Sequence, residues 1–327
     1  MVDVINTIHI SPPFINSSCA WSSDYHQLKD LYDCEYTGAV TTRTATLNGF
    51  KEDETHTVRF TTSTISTINS YGYSPYPLST YLSWIEEILT SDPAPRHKPF
   101  IVSITSSDMD TLQTLVQLIQ HLRRKLRDVV IGHKNPPIAI EFNTSCPNIP
   151  NVSPPAYTAS SLSSILTVLA HEYSEDRTLT IGLKLPPYVY REQFQATLDA
   201  IRSVCIRTDS GTEVCPIAFL TCVNTLGNSL LYPDQVETDA VEYAVPTALG
   251  GLGGELMHPL ALGNVYTFGE LLNKEDNLSP LRSIKLFGVG GVTSKAAAQR
   301  MFKAGASCVG CATFFGKEGV QAFRKLQ

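Results

Sequence analysis

Hydrophobic residues fall along this chain in short continuous runs, separated by stretches in which they recur every three or four positions. Continuous apolar runs suit strands buried on both faces, and the wider spacing suits helices with one face on a core. The runs predict strands over 13–17, 38–46, 100–105, 138–145, 180–186, 218–224, 284–291 and 308–313. The helical spacing covers 24–33, 78–89, 108–127, 160–173, 191–207, 258–272, 294–304 and 317–325. Asp108 and Ser294 are placed as N-caps, and Ala304-Gly305 as a stop. Eight strands alternating with eight helices make an α/β chain, a single (β/α)8 TIM barrel over 1–327. An open doubly wound sheet would announce a glycine-rich turn after its first strand, and Asn16-Ser17-Ser18-Cys19 is not one. Two long βα segments, 48–77 and 226–257, interrupt the rhythm and are expected to cover the C-terminal face of the barrel.

Charge and cysteine usage narrow the class. The net charge of −6 and the scattered basic residues leave no footprint for nucleic acid. The one basic cluster, Arg123-Arg124-Lys125-Leu126-Arg127, reads as the solvated end of a helix. No run reaches the roughly 18 apolar residues of a membrane span, and no basic stretch followed by an apolar one opens the chain as a secretion signal would. A cytoplasmic protein with eight reduced thiols is expected. Cys205, Cys215 and Cys222 read as small buried hydrophobes. Cys308-x-x-Cys311 has metal spacing but lies in an apolar strand with no second pair, so no metal is expected. His258 has no metal-spaced companion and reads as a surface or helix-start residue.

The distinctive polar residues fall at the C-terminal ends of the strands, which in a barrel share one mouth. Glu141-Phe142-Asn143-Thr144-Ser145-Cys146-Pro147-Asn148 sets a thiol among amide and hydroxyl groups. Cys146 there suits a general base beside a planar polar substrate. Lys184 ends the fifth strand and Asn224-Thr225 the sixth. Gly290-Gly291 and Ala312-Thr313 end the last two strands, whose loops commonly hold phosphate in this fold. Phosphate there and a lysine on strand five suit flavin mononucleotide (FMN) across the mouth, with Lys184 favouring negative charge at the pyrimidine end of the ring.

With these motifs, the chain resembles the dihydroorotate dehydrogenase family, and within it the cysteine-using branch that passes electrons to fumarate. The resemblance spans about 14–325 and rests on Asn143-Thr144-Ser145-Cys146-Pro147-Asn148, Lys184-Leu185-Pro186-Pro187-Tyr188, Val223-Asn224-Thr225-Leu226-Gly227-Asn228, Gly250-Gly251-Leu252-Gly253-Gly254 with Pro259 and Asn264, and Gly290-Gly291. Ile68-Asn69-Ser70-Tyr71-Gly72 is similar to the family's substrate loop. It implies a homodimeric FMN enzyme that oxidises dihydroorotate to orotate in pyrimidine synthesis, with Cys146 and Lys184 as catalytic residues. Arg43, Asn69, Tyr71, Gly72, Tyr73, Asn143, Asn148, Asn224 and Thr225 would meet the substrate. Ser17, Ser18, Cys19, Arg43, Thr44, Asn143, Lys184, Asn224, Gly254, Gly290, Gly291, Ala312 and Thr313 would meet the cofactor. A thiol base must ionise, so the pocket is expected to lower or tolerate its pKa.

Several positions depart from the family. Arg43 stands where it usually has lysine, and Ser17-Ser18-Cys19 where it has a small Ala-Ala-Gly run. Ala312-Thr313 replaces Gly-Thr, and Tyr71 and Tyr73 replace smaller apolar residues. These departures frame the alternative, a related FMN oxidoreductase for another small conjugated carbonyl compound or cyclic imide.

Overall fold

The structure is a computed structural model that describes residues 4–91, 98–126, 138–146, 148 and 154–327. Eight parallel strands make its centre: β1 (Phe14–Asn16), β2 (Val40–Thr41), β3 (Phe100–Ile104), β4 (Ile138–Asn143), β5 (Thr180–Leu185), β6 (Phe219–Cys222), β7 (Lys285–Val289) and β8 (Cys308–Cys311). They are hydrogen-bonded in the order β1-β8-β7-β6-β5-β4-β3-β2. A parallel bridge between Ile15 and Ala39 joins the two ends of that order, so the sheet curls into a nearly closed barrel. Around it lie α1 (Tyr25–Asp33), α2 (Leu78–Ser91), α3 (Met109–Lys125), α4 (Ala159–Glu175), α5 (Arg191–Ser203), α6 (His258–Lys274), α7 (Lys295–Ala304), α8 (Thr313–Glu318) and α9 (Gln321–Leu326). The chain is a (β/α)8 barrel.

Local chemistry sets the elements. Every residue of β4 and β5 is buried, which is why both read as unbroken runs. Asp24, Asp108 and Ser294 accept from the N–H groups of Gln27, Thr111 and Ala297, capping α1, α3 and α7. Inside the barrel, Ile15, Ile101, Ala139, Phe219 and Phe287 cluster with Ile5 and Ile8 of an N-terminal hairpin and with Ile10 just after it. Phe219 stacks on Phe287 with centroids 4.4 Å apart. A larger apolar layer packs the strands against the helices.

The structure differs from the sequence reading in places. The expected strand over 38–46 pairs as a strand only at Val40–Thr41, with isolated bridges at Ala39 and Ala45. The helix expected over 191–207 stops at Ser203, and Ile206–Arg207 instead pairs with Glu213–Val214 in a hairpin. The helix expected over 317–325 is two short ones, α8 and α9, parted at Gly319, whose φ of 61° is left-handed. The 48–77 and 226–257 segments are not plain loops. They contribute Val58–Phe60, Ser66–Asn69, Leu226–Leu230 and Leu249–Gly254 to a four-stranded antiparallel cap sheet.

Three side-chain readings are corrected too. Arg123 is fully buried, its Nη1 2.8 Å from Asp176 and 2.6 Å from Gln120 Oε1, because residues three apart on α3 face the end of α4 together. His258 begins α6 as expected, but it is buried rather than at the surface. Cys205 is half-buried, and its thiol interacts with that of Cys215 across the base of the hairpin, which lowers its pKa. It is not an inert core residue. Cys215, Cys222, Cys308 and Cys311 are buried.

The barrel interior tolerates little extra volume. A Cβ at Gly182 would lie 2.1 Å from the Phe219 ring. Gly182→Ala is expected to destabilise the fold by about 1–3 kcal/mol, as overpacking does, measured as a shift in the midpoint of urea denaturation.

Candidate active site

The carboxyl ends of the barrel strands open beneath the cap sheet into a cavity with about 1060 Å³ of empty space, part of it open to solvent. β1 and the turn after it deliver Ser17, Ser18 and Cys19, and the segment after β2 delivers Arg43 and Thr44. Asn143, Cys146 and Asn148 come from β4 and its loop, Lys184 from β5, and Asn224 and Thr225 from the segment after β6. Gly290 and Gly291 follow β7, and Ala312 and Thr313 follow β8. The cap sheet and its loop bring Asn69, Tyr71, Gly72, Tyr73 and Gly254 from above. Every residue assigned a substrate, cofactor or catalytic part from the sequence therefore lines one cavity.

The register of β4 on β5 sets Asn143 opposite Lys184. Lys184 is buried, and its Nζ donates to Ser17 Oγ and Ser18 O, both at 3.1 Å. Glu141, two residues before Asn143, is buried in the same barrel. Its Oε2 accepts from Thr221 Oγ1 at 2.7 Å. Burial pushes its carboxyl up, and the Lys184 charge opposes that, followed by hydrogen bonds from Thr221 and Ser103.

Asn143 is the hub of the amide network. Its Nδ2 donates to Thr44 Oγ1 at 3.0 Å, and its Oδ1 accepts from Ser145 N and Asn224 Nδ2, both at 3.1 Å. Asn148 Nδ2 donates to Asn69 Oδ1 at 3.0 Å and to Tyr71 O at 2.9 Å. These bonds pair Asn143 with Asn224 at the barrel rim and Asn148 with Asn69 of the cap. Asn suits a site for an amide-rich ring because one side chain both donates and accepts.

The thiol of Cys146 is not activated by its surroundings in the way expected. Burial pushes it up to about 11, and the Asn148 N–H, Lys184 and Arg43 only partly counter that. Tyr73 lines the same space. Its hydroxyl is held above its ordinary range by burial, with the nearby Cys146 adding and a bond to Thr105 opposing. Cys19 is also raised by burial.

On the side of the cavity after β7 and β8, the backbone N–H groups of Gly290, Gly291, Val292, Thr313 and Phe314 donate to no acceptor among the described residues. Gly290 and Gly291 have φ of 132° and 65°, so the turn carries no Cβ between these donors and the cavity. A Cβ at Gly291 would lie 2.6 Å from that of His258. His258 holds the turn: its Nδ1–H donates to Gly290 O at 2.8 Å, while Nε2 accepts from Arg300 Nε at 3.1 Å. That pattern assigns the neutral tautomer, in keeping with a pKa lowered by burial and by Arg300. Unclaimed donors at a glycine turn fit an anionic group such as a phosphate. Among the described residues, no group of three or more metal-binding side chains gathers.

The family model for dihydroorotate dehydrogenase matches residues 2–327. The chain belongs to the dihydroorotate dehydrogenase family. It is 28% identical over 292 residues to "Probable dihydroorotate dehydrogenase A (fumarate)" of Streptococcus pneumoniae, covering 88% of this chain and 79% of the relative. Over 314 residues it is 27% identical to "Dihydroorotate dehydrogenase (fumarate)" of Kluyveromyces lactis, covering 96% and 86%. Dihydroorotate dehydrogenases are oxidoreductases that work with a flavin. No helix among the described residues is long and apolar enough to cross a membrane.

Several members of the site went unassigned in the sequence. Glu141 had no visible partner, since Lys184 and Thr221 lie far along the chain. Trp21, Val58, Leu252, Met257 and Val292 form apolar walls, and only the cap sheet and barrel closure bring them together. Arg43, where dihydroorotate dehydrogenases usually have lysine, is tied to Glu52, a residue the sequence did not flag.

The raised carboxyl of Glu141 has a signed consequence. An acid with a higher pKa folded than unfolded binds more protons in the folded state, so its contribution to stability falls as pH rises through that interval. Glu141→Gln is expected to gain on the wild type as pH rises above the ordinary carboxylate range, and to level off above the folded-state pKa. Paired urea denaturation curves across that range measure the difference.

Proposed function

We propose that this protein oxidises dihydroorotate to orotate with bound FMN, using Cys146 as the base and fumarate as the electron acceptor. The working form is a cytoplasmic homodimer, as the family resemblance implies. The observation that carries the reading is the gathering of a thiol, two cations and four asparagine amides in one cavity, with N–H groups after β7 and β8 that donate to no acceptor among the described residues. That set suits a planar imide ring at one end and a phosphate at the other.

Gly290, Gly291, Ala312 and Thr313 would hold the phosphate, and Ser17, Ser18, Cys19, Thr44 and Gly254 the ring system. When bound, FMN would supply the acceptor for the hydride that leaves C6 of the substrate. Cys146 takes the proton from C5. Lys184, fixed by Ser17 and Ser18, favours negative charge at the pyrimidine end of the ring. Asn69, Asn143, Asn148 and Asn224 orient the substrate through its amides, and Thr225 adds a hydroxyl. Arg43, Tyr71, Gly72 and Tyr73 close over it, and the cap sheet above limits water.

The experiment is an anaerobic titration of the holoenzyme with dihydroorotate, followed by flavin absorbance. Flavin bleaching is expected, and flavin that stays oxidised would overturn the reading. A thiol held at about 11 is mostly protonated at neutral pH. Below that pKa the thiolate fraction grows about tenfold per unit, so the flavin-reduction rate should climb from about pH 7 to about pH 10. Cys146→Ser should fall by at least about 10²-fold in rate while keeping FMN, and Cys146→Ala, with no ionisable group, should lose the rise. Stopped-flow traces against pH give both.

A further inference from the structure

Two cations line the cavity, Lys184 and Arg43. They are held differently. Arg43 leaves the end of β2 nearly buried, and its Nη2 lies 2.5 Å from Glu52 Oε1. Its Nη1 makes a long contact of 3.4 Å to Ser23 Oγ. The ring of Tyr71 covers the guanidinium with its centroid 5.0 Å away. The side chain of Glu52 is 26% exposed, so one carboxylate oxygen grips the arginine at the edge of solvent.

This pairing is one-armed. A guanidinium carries five N–H donors in a fixed fork, and Glu52 takes one of its nitrogens. The remaining edge can still meet an incoming carboxylate, but that anion must share the cation with one already in place. Two carboxylates on one guanidinium repel each other, and the repulsion is strong in a half-buried setting. A neutral ligand is indifferent to that contest.

We propose that Glu52 is a specificity-determining residue: it competes with the substrate's carboxylate for Arg43 and so weakens the site's preference for anionic over neutral pyrimidines. The inference rests on the proposed placement of a pyrimidine beside Arg43. Glu52 acts through the arginine and does not itself touch the substrate. The loop that carries Glu52 thereby sets how much of the binding energy the carboxylate supplies.

The test compares equilibrium binding of orotate and of its neutral methyl ester to oxidised holoenzyme, read from the flavin spectrum. Wild type, Glu52→Gln, Arg43→Met and the double variant are measured. Glu52→Gln should tighten orotate about tenfold, the scale of one competing half-buried charge, and leave the ester nearly unchanged. The gain should vanish on the Arg43→Met background. An unchanged orotate-to-ester ratio, equal tightening of both, or weaker orotate binding in Glu52→Gln would each overturn the proposal, the last by making Glu52 a positioning residue for Arg43. Flavin reduction by dihydroorotate in the wild type tests the functional reading separately, because the ester comparison reports charge at Arg43 whichever compound is the natural substrate.

Discussion

Parallel pairing of β4 with β5 is the constraint on which the site depends. It sets Asn143 level with Lys184 at the rim and places Glu141 one inward step below. Slipping β4 by one residue would turn Glu141 and Asn143 to the helix side and away from Lys184. Because the register is fixed, an ammonium, a carboxyl and an amide hub occupy one small volume with their partners made: Ser17 and Ser18 for the lysine, Thr221 for the acid, Thr44 and Asn224 for the amide. Fully satisfied buried networks are rigid, and rigidity at the rim is what lets a flat ring be held without rearrangement.

Much of the barrel was legible because strands buried on both faces must be apolar throughout. The run Ile138-Ala139-Ile140 and the tract Gly182-Leu183-Lys184-Leu185 announced themselves in this way. The cap sheet was not legible. Ser66–Asn69 is three-quarters hydroxyl and amide, and Leu249–Gly254 is two-thirds glycine, so neither shows a hydrophobic period. Their pairing is decided by backbone geometry, which a pattern of side chains does not encode. Strand ends told which residues would meet, since a closed barrel brings all such ends together. They did not reveal charge partners. Arg43 and Glu52 are joined across an irregular loop, and Arg123 finds Asp176 only once α3 and α4 pack side by side.

Burial also separates what a residue is from what it does at rest. The Cys146 position suggested a reactive thiol, yet desolvation outweighs the two nearby cations. Its chemistry is therefore conditional on pH and on what fills the cavity. The same desolvation acts on Glu141 and Cys19.

The cap sheet ties the two insertions together: Asn69 pairs with Gly251, and its Nδ2 donates to Gly251 O at 3.0 Å. Either insertion can lengthen or shorten at its outer bends without disturbing this seam. A single residue gained or lost inside it would rotate Asn69 out of the roof unless the opposite insertion shifted in step. Relatives that diverge here are thus expected to change both segments jointly, making the roof one inherited unit although its halves are encoded far apart.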